Sequence, residues 1–181
     1  MTQYVHDLNL SVPLFKAEIN PYAFPKVRHT RLGHEVLSND IIQLFDSLNL
    51  EIDLIEVFYS RPFLTSGIHI DSVGGDINKV NWVFGGAECE MNWYSVTGAH
   101  SSKEIKNTMI GTDYLHFAAN EVTLEASKVL HSPSLVHVGV PHNVQNKNQD
   151  RWCVSVVYKT KDTGQRPTMA ESLEIFKEFV S

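Results

Sequence analysis

The chain has 181 residues, 43% hydrophobic and 20% charged, with a net charge of -6. Those proportions suit one soluble domain, long enough to bury roughly 70% of the surface its unfolded form exposes. The acidic balance and the lack of a Lys/Arg-rich run disfavour nucleic acid as the main partner, and no window approaches the apolar length of a membrane span. Cys89 and Cys153 belong to no Cys-x-x-Cys pair, which rules out a zinc ribbon, and two cysteines in a chain this long do not suggest a disulfide framework. Residues 1–7 lack the basic region and apolar stretch of a signal peptide, so a reduced, cytoplasmic protein is expected.

The first third is irregular. Residues 9–15 read as a strand ending near Pro13, and Pro21 and Pro25 then break regular structure. Ser38 or Asn39 caps a helix over 39–50, whose Ile41, Ile42, Leu44, Phe45 and Leu48 share one face, with Asp40 suiting its dipole. Strand formers then dominate: 52–59, resuming at 64–70 after Pro62, then 80–84 and 88–96. Residues 72–76 are a turn cluster and 100–107 a polar loop. Further strands are expected at 114–117, 135–140 and 152–158; 121–130 reads as strand or short helix, since Glu125, Ala126 and Lys128 favour the latter. An amphipathic helix closes the chain at 172–180.

About eight short strands with helices at either end predict an all-β core with flanking helices, mostly antiparallel, with a jelly roll as the leading case. One domain is expected over 1–181, divided into an N-terminal strand and helix extension (1–50), a jelly-roll core (51–160) and a C-terminal helix (169–181).

The chemistry concentrates in two places. Gly67-Ile68-His69-Ile70-Asp71 places His69 and Asp71 two apart in a strand, so both side chains lean to one face. One further imidazole completes a two-His-one-carboxylate face, which favours non-haem Fe(II) and leaves coordination positions open. The alternative is a solvated pair on a strand edge. The second place is Pro141-His142-Asn143-Val144, followed by Arg151.

Together, His69-x-Asp71, His142 and Arg151 nine residues later resemble the Fe(II)- and 2-oxoglutarate-dependent oxygenase superfamily, in the manner of small stand-alone bacterial or phage members and of prolyl or aspartyl/asparaginyl hydroxylases. The stretch 135–144 looks like the strand and turn that carry the distal histidine, and 151–156 like the strand that holds the co-substrate; the likeness spans about 56–158. It implies a double-stranded β-helix, a cupin-like jelly-roll barrel. It implies Fe(II) held by His69, Asp71 and His142, and 2-oxoglutarate paired through its distal carboxylate with Arg151. Arginine suits that task because its planar fork gives two parallel charge-assisted hydrogen bonds. Ser155 shares the strand face of Arg151, and Asn81 falls near the co-substrate in the same pattern.

His137 is the competing distal ligand, fourteen residues before Arg151 where the resemblance implies about nine to eleven. His116 and His131 read as surface or structural, and Trp93 and Trp152 as packing residues. A small residue in place of Asp71 would suit a radical halogenase; the carboxylate favours hydroxylation. A cupin-type metalloenzyme without 2-oxoglutarate has no use for Arg151, and a non-catalytic jelly-roll binding module has none for the metal ligands. The expected partner is a small-molecule or peptide substrate.

Overall fold

The strand-forming runs assemble into two six-stranded sheets in the computed structural model, which describes residues 3–71, 76–97, 105–107, 113–131 and 133–181. In chain order the elements are β1 (Val5–Asp7), β2 (Thr30–Leu32), α1 (Asn39–Ser47), β3 (Leu50–Ser60), β4 (Ile68–Ile70), β5 (Asn78–Gly85), β6 (Glu90–Val96), β7 (Ile105–Asn107), β8 (Asp113–Phe117), β9 (Val122–Val129), β10 (Ser134–His137), β11 (His142–Gln145), β12 (Arg151–Thr160) and α2 (Met169–Ile175). The first sheet runs β1-β10-β5-β12-β3-β2 and the second β7-β8-β4-β11-β6-β9. Every pairing described within them is antiparallel. The result is an all-β sandwich with two short helices.

Alternation along the long strands of the first sheet separates two environments. Trp152, Val154, Val156 and Tyr158 of β12 join Ile55 and Val57 of β3 and Val80 and Trp82 of β5 in an apolar cluster with Ile41 and Phe45 of α1 and Phe176 beyond α2. That cluster is the main core. The intervening residues turn to the opposite face: Arg151, Cys153 and Ser155 on β12, Glu56 and Phe58 on β3, Lys79, Asn81 and Val83 on β5. A second apolar cluster joins the sheets through Val5, Val136 and Val138 on one side and Met91 and Trp93 on the other. The face toward the second sheet is therefore apolar at one end and polar in its middle.

Several elements depart from the sequence expectation. The stretch 9–15 is not a strand; only Phe15 bridges, to Leu37, and the Pro13 carbonyl accepts from the Ser38 hydroxyl instead of a ladder partner. The N-terminal strand is β1, paired with β10. Helix α1 stops at Ser47 because Asn49 takes a left-handed conformation (φ 59°) and Leu50 already begins β3. The 64–70 strand shortens to β4, since Phe63 has φ 60° and only Thr65 bridges before Ile68. Residues 121–130 resolve as strand, because β9 finds a full-length partner in β6. The closing helix spans Met169–Ile175, beginning where the domain division placed it but ending short of the expected 180; the Thr168 hydroxyl accepts from the Glu171 amide and Glu171 accepts from the Thr168 amide. Of the expected turn 72–76, residues 72–75 lie outside the described residues; so do 100–104 of the expected loop 100–107, whose last three residues form β7. Among the described residues no helix is long and apolar enough to cross a membrane.

Candidate metal centre

The expected strand 135–140 splits in two, and the split forms the site. β10 pairs with β5 in the first sheet and ends at His137. Gly139, Val140 and Pro141 carry the chain across to the second sheet, where β11 begins at His142 between β4 and β6. There His142 lies directly opposite His69, with ring centroids 4.6 Å apart. Asp71 follows β4 at once, its amide bonded to the Val138 carbonyl, which ties the end of the His-x-Asp strand to the crossover.

The three side chains converge. His69 Nε2 is 3.2 Å and His142 Nε2 3.6 Å from the same Asp71 oxygen, Oδ1, and the three potential ligand atoms lie within 4.8 Å of one another. Each imidazole donates its Nδ1–H to a backbone carbonyl two residues earlier, His69 to Gly67 at 2.8 Å and His142 to Val140 at 2.9 Å. Those bonds orient both rings so that each Nε2 points toward Asp71, the orientation that metal-ligating histidines require. A Cβ on Gly67 would lie 2.9 Å from His116 Cε1, so a side chain there would require that ring to shift. The group can hold a metal ion.

Burial sets the protonation states. Desolvation and the neighbouring His69 push His142 down to about 4, so it is a neutral imidazole at neutral pH. Burial alone would raise Asp71, but the Lys79 charge and the His69 hydrogen bond hold it well below the usual carboxylate range. Burial likewise opposes charge on His69, yet its bond to Asp71 raises it on balance.

The first sheet contributes a second feature. Arg151, 3% exposed, begins β12, with Nε buried and without a hydrogen-bond partner among the described residues. No carboxylate of the described residues pairs with it. Its stem lies flat on Gly86, where a Cβ would come within 2.8 Å of Arg151 Cβ and 3.0 Å of Cγ. Ser155 shares its face and lies opposite Asn81, whose Oδ1 is also buried without a partner among the described residues. A buried guanidinium Nε–H and a buried amide oxygen, both without a partner among the described residues, are costly unless a polar ligand supplies what they lack.

His137 faces elsewhere. Its Nε2 is 2.8 Å from Asp76 Oδ1, its ring stacks near Tyr4, and burial lowers its basicity. His131 is exposed. His116 stands half-buried opposite His69 on β8, with ring centroids 6.2 Å apart, and Tyr114 packs edge-on beside both. Trp93 and Trp152 are buried in the two apolar clusters, and the Trp93 indole donates to the His137 carbonyl.

Three residues at the site were not singled out in the sequence. Lys79 Nζ reaches Asp71 Oδ2 at 2.7 Å and Glu56 Oε2 at 2.8 Å; Glu56 Oε1 is 3.2 Å from His29 Nε2. Lys79 and Glu56 are both nearly inaccessible. A signal for them exists: each is a charged residue at a buried-face position of an apolar strand run, and such charges persist inside a protein only when paired. No protein-family model and no curated protein matches the chain.

Proposed function

We propose that the protein is an Fe(II)- and 2-oxoglutarate-dependent dioxygenase whose sandwich is a double-stranded β-helix, acting on a small-molecule or peptide substrate. The observation that carries this reading is the buried Arg151 side chain, whose Nε has no partner among the described residues, on the same face of the first sheet as Lys79, which meets Asp71. A metal site alone does not need that arginine. A metal site that takes a dicarboxylate does, because the second carboxylate must be paired once it leaves water.

In this reading His69, Asp71 and His142 hold the iron through Nε2, one carboxylate oxygen and Nε2. Arg151 pairs with the far carboxylate of the oxo acid, and Ser155 and Asn81 add a hydroxyl and an amide to the same pocket. Bound iron and 2-oxoglutarate would supply the oxidising chemistry, with dioxygen and the oxo acid converted to succinate and carbon dioxide and one oxygen atom placed at a substrate C–H bond. The chain's own groups position and desolvate. The Gly67 and Val140 carbonyls fix the imidazoles, the apolar cluster around Trp93 and Met91 packs between the sheets beside them, and the neutral His142 ring would enter coordination without first losing a proton.

The test combines anaerobic Fe(II) titration with succinate measurement in the presence of 2-oxoglutarate and dioxygen. One iron per chain, with succinate formed even slowly in the absence of substrate, is the expected result. Iron binding with oxidation of a substrate at full rate without 2-oxoglutarate would instead indicate a cupin-type enzyme. Failure to bind iron would remove the enzyme reading altogether.

A further inference from the structure

We propose that Lys79 is a positioning residue for the metal centre: it occupies the second oxygen of Asp71, so that this carboxylate meets the ion through one oxygen only. The proposal rests on the metal reading above. Asp71 divides its two oxygens between two tasks. Oδ1 faces both imidazole Nε2 atoms, at 3.2 and 3.6 Å, while Oδ2 is 2.7 Å from the Lys79 ammonium. Lys79 is itself held from behind. Glu56 Oε2 lies 2.8 Å from the same Nζ, and Glu56 Oε1 is 3.2 Å from His29 Nε2, a ring stacked on Phe58 at 4.3 Å. An ammonium is a compact charge with three donors, suited to bridging two carboxylates. Lys79 and Glu56 are 5% and 1% exposed, so neither competes with water for its partner.

The consequence is one of coordination number. In a six-coordinate ion, two imidazoles and a two-oxygen carboxylate leave two positions; two imidazoles and a one-oxygen carboxylate leave three. A chelating oxo acid and dioxygen together need three. Lys79 thus preserves the third position. His29 belongs to the segment before β2, so the N-terminal extension takes part in shaping the metal site through Glu56 and Lys79.

The experiment uses Mn(II), which binds such sites without reacting with dioxygen, and counts exchangeable waters on the bound ion by water-proton relaxation. The variant is Lys79→Met combined with Glu56→Gln, which removes one charge of each sign and leaves the net charge of the site unchanged. A cooperative thermal melt establishes that it folds. Wild type should carry three exchangeable waters and the double variant two, as Asp71 Oδ2 turns to the ion. Three waters in both, or two in both, would overturn the role of Lys79 and leave the metal site standing. Wild type that binds no Mn(II), Fe(II) or Co(II) would overturn the metal reading and this proposal with it. A second measurement needs no variant: in Zn(II)-loaded wild type, the Lys79 ammonium should remain visible in a proton–nitrogen correlation spectrum, protected from solvent exchange. Its loss on metal loading would show that Lys79 leaves Asp71, and would overturn the proposal.

Discussion

Glu56→Gln probes the buried chain of charges behind the candidate metal centre through its effect on acid stability. Burial of Glu56 opposes its ionisation, but the His29 hydrogen bond and the Lys79 charge outweigh it and hold the carboxyl down to about 2, against an ordinary 4.5. The unfolded chain takes up this proton near pH 4.5 and the folded chain only near pH 2. Between those values the unfolded state binds more protons, so the contribution is complete above about pH 5 and is lost as the pH falls. At about 1.4 kcal/mol per pH unit, the whole contribution is about 3 kcal/mol, of which about 2 kcal/mol is gone by pH 3. Glu56 is only 1% exposed, so solvent screening does not reduce this figure much. The assay is urea unfolding of wild type and Glu56→Gln, followed by tryptophan fluorescence at intervals from pH 6 to pH 3. The variant should be less stable at pH 6, where Lys79 has lost one of two partners, and the gap should narrow by about 2 kcal/mol on reaching pH 3. A gap that stays constant across the series would show that Glu56 is not held ionised by Lys79 and His29.

His142→Ala should abolish tight Fe(II) binding in an anaerobic titration while His137→Ala leaves it largely intact, since His137 faces Asp76 and His142 faces Asp71; the reverse ranking would exchange the two assignments. Arg151→Lys should raise the half-saturating 2-oxoglutarate concentration, measured as succinate formation, by about tenfold or more, because an ammonium cannot reproduce the two-pronged pairing of a guanidinium. Gly86→Ala should cost about 1–2 kcal/mol in a thermal or urea melt, from its φ of 58° and the 2.8 Å approach to Arg151 Cβ, and should weaken 2-oxoglutarate binding by displacing the arginine stem.

Much of this protein is legible in one dimension. The β-rich core follows from short runs of strand formers between turn residues, and α1 from Ser38 and the spacing of Ile41 and Phe45, because capping and periodicity act within a few residues. His69 and Asp71 lean together because strand alternation puts residues two apart on one face, a local rule that needs no knowledge of the rest of the chain. The Thr168 to Glu171 capping box that starts α2 at Met169 is equally local.

What the sequence could not decide was set by partners far along the chain. The switch of sheets between His137 and His142 depends on which strands accept β10 and β11, and that pairing directs one histidine to Asp76 and the other to Asp71. Residues 121–130 carried mixed local preferences and became strand because β6 offered a ladder. The joining of His29, Glu56, Lys79 and Asp71 requires contacts between β3, β5, the end of β4 and the segment before β2. Residue type and alternation determine which face a side chain takes; only tertiary packing determines what stands across from it, and a buried charge is stable or costly according to that neighbour.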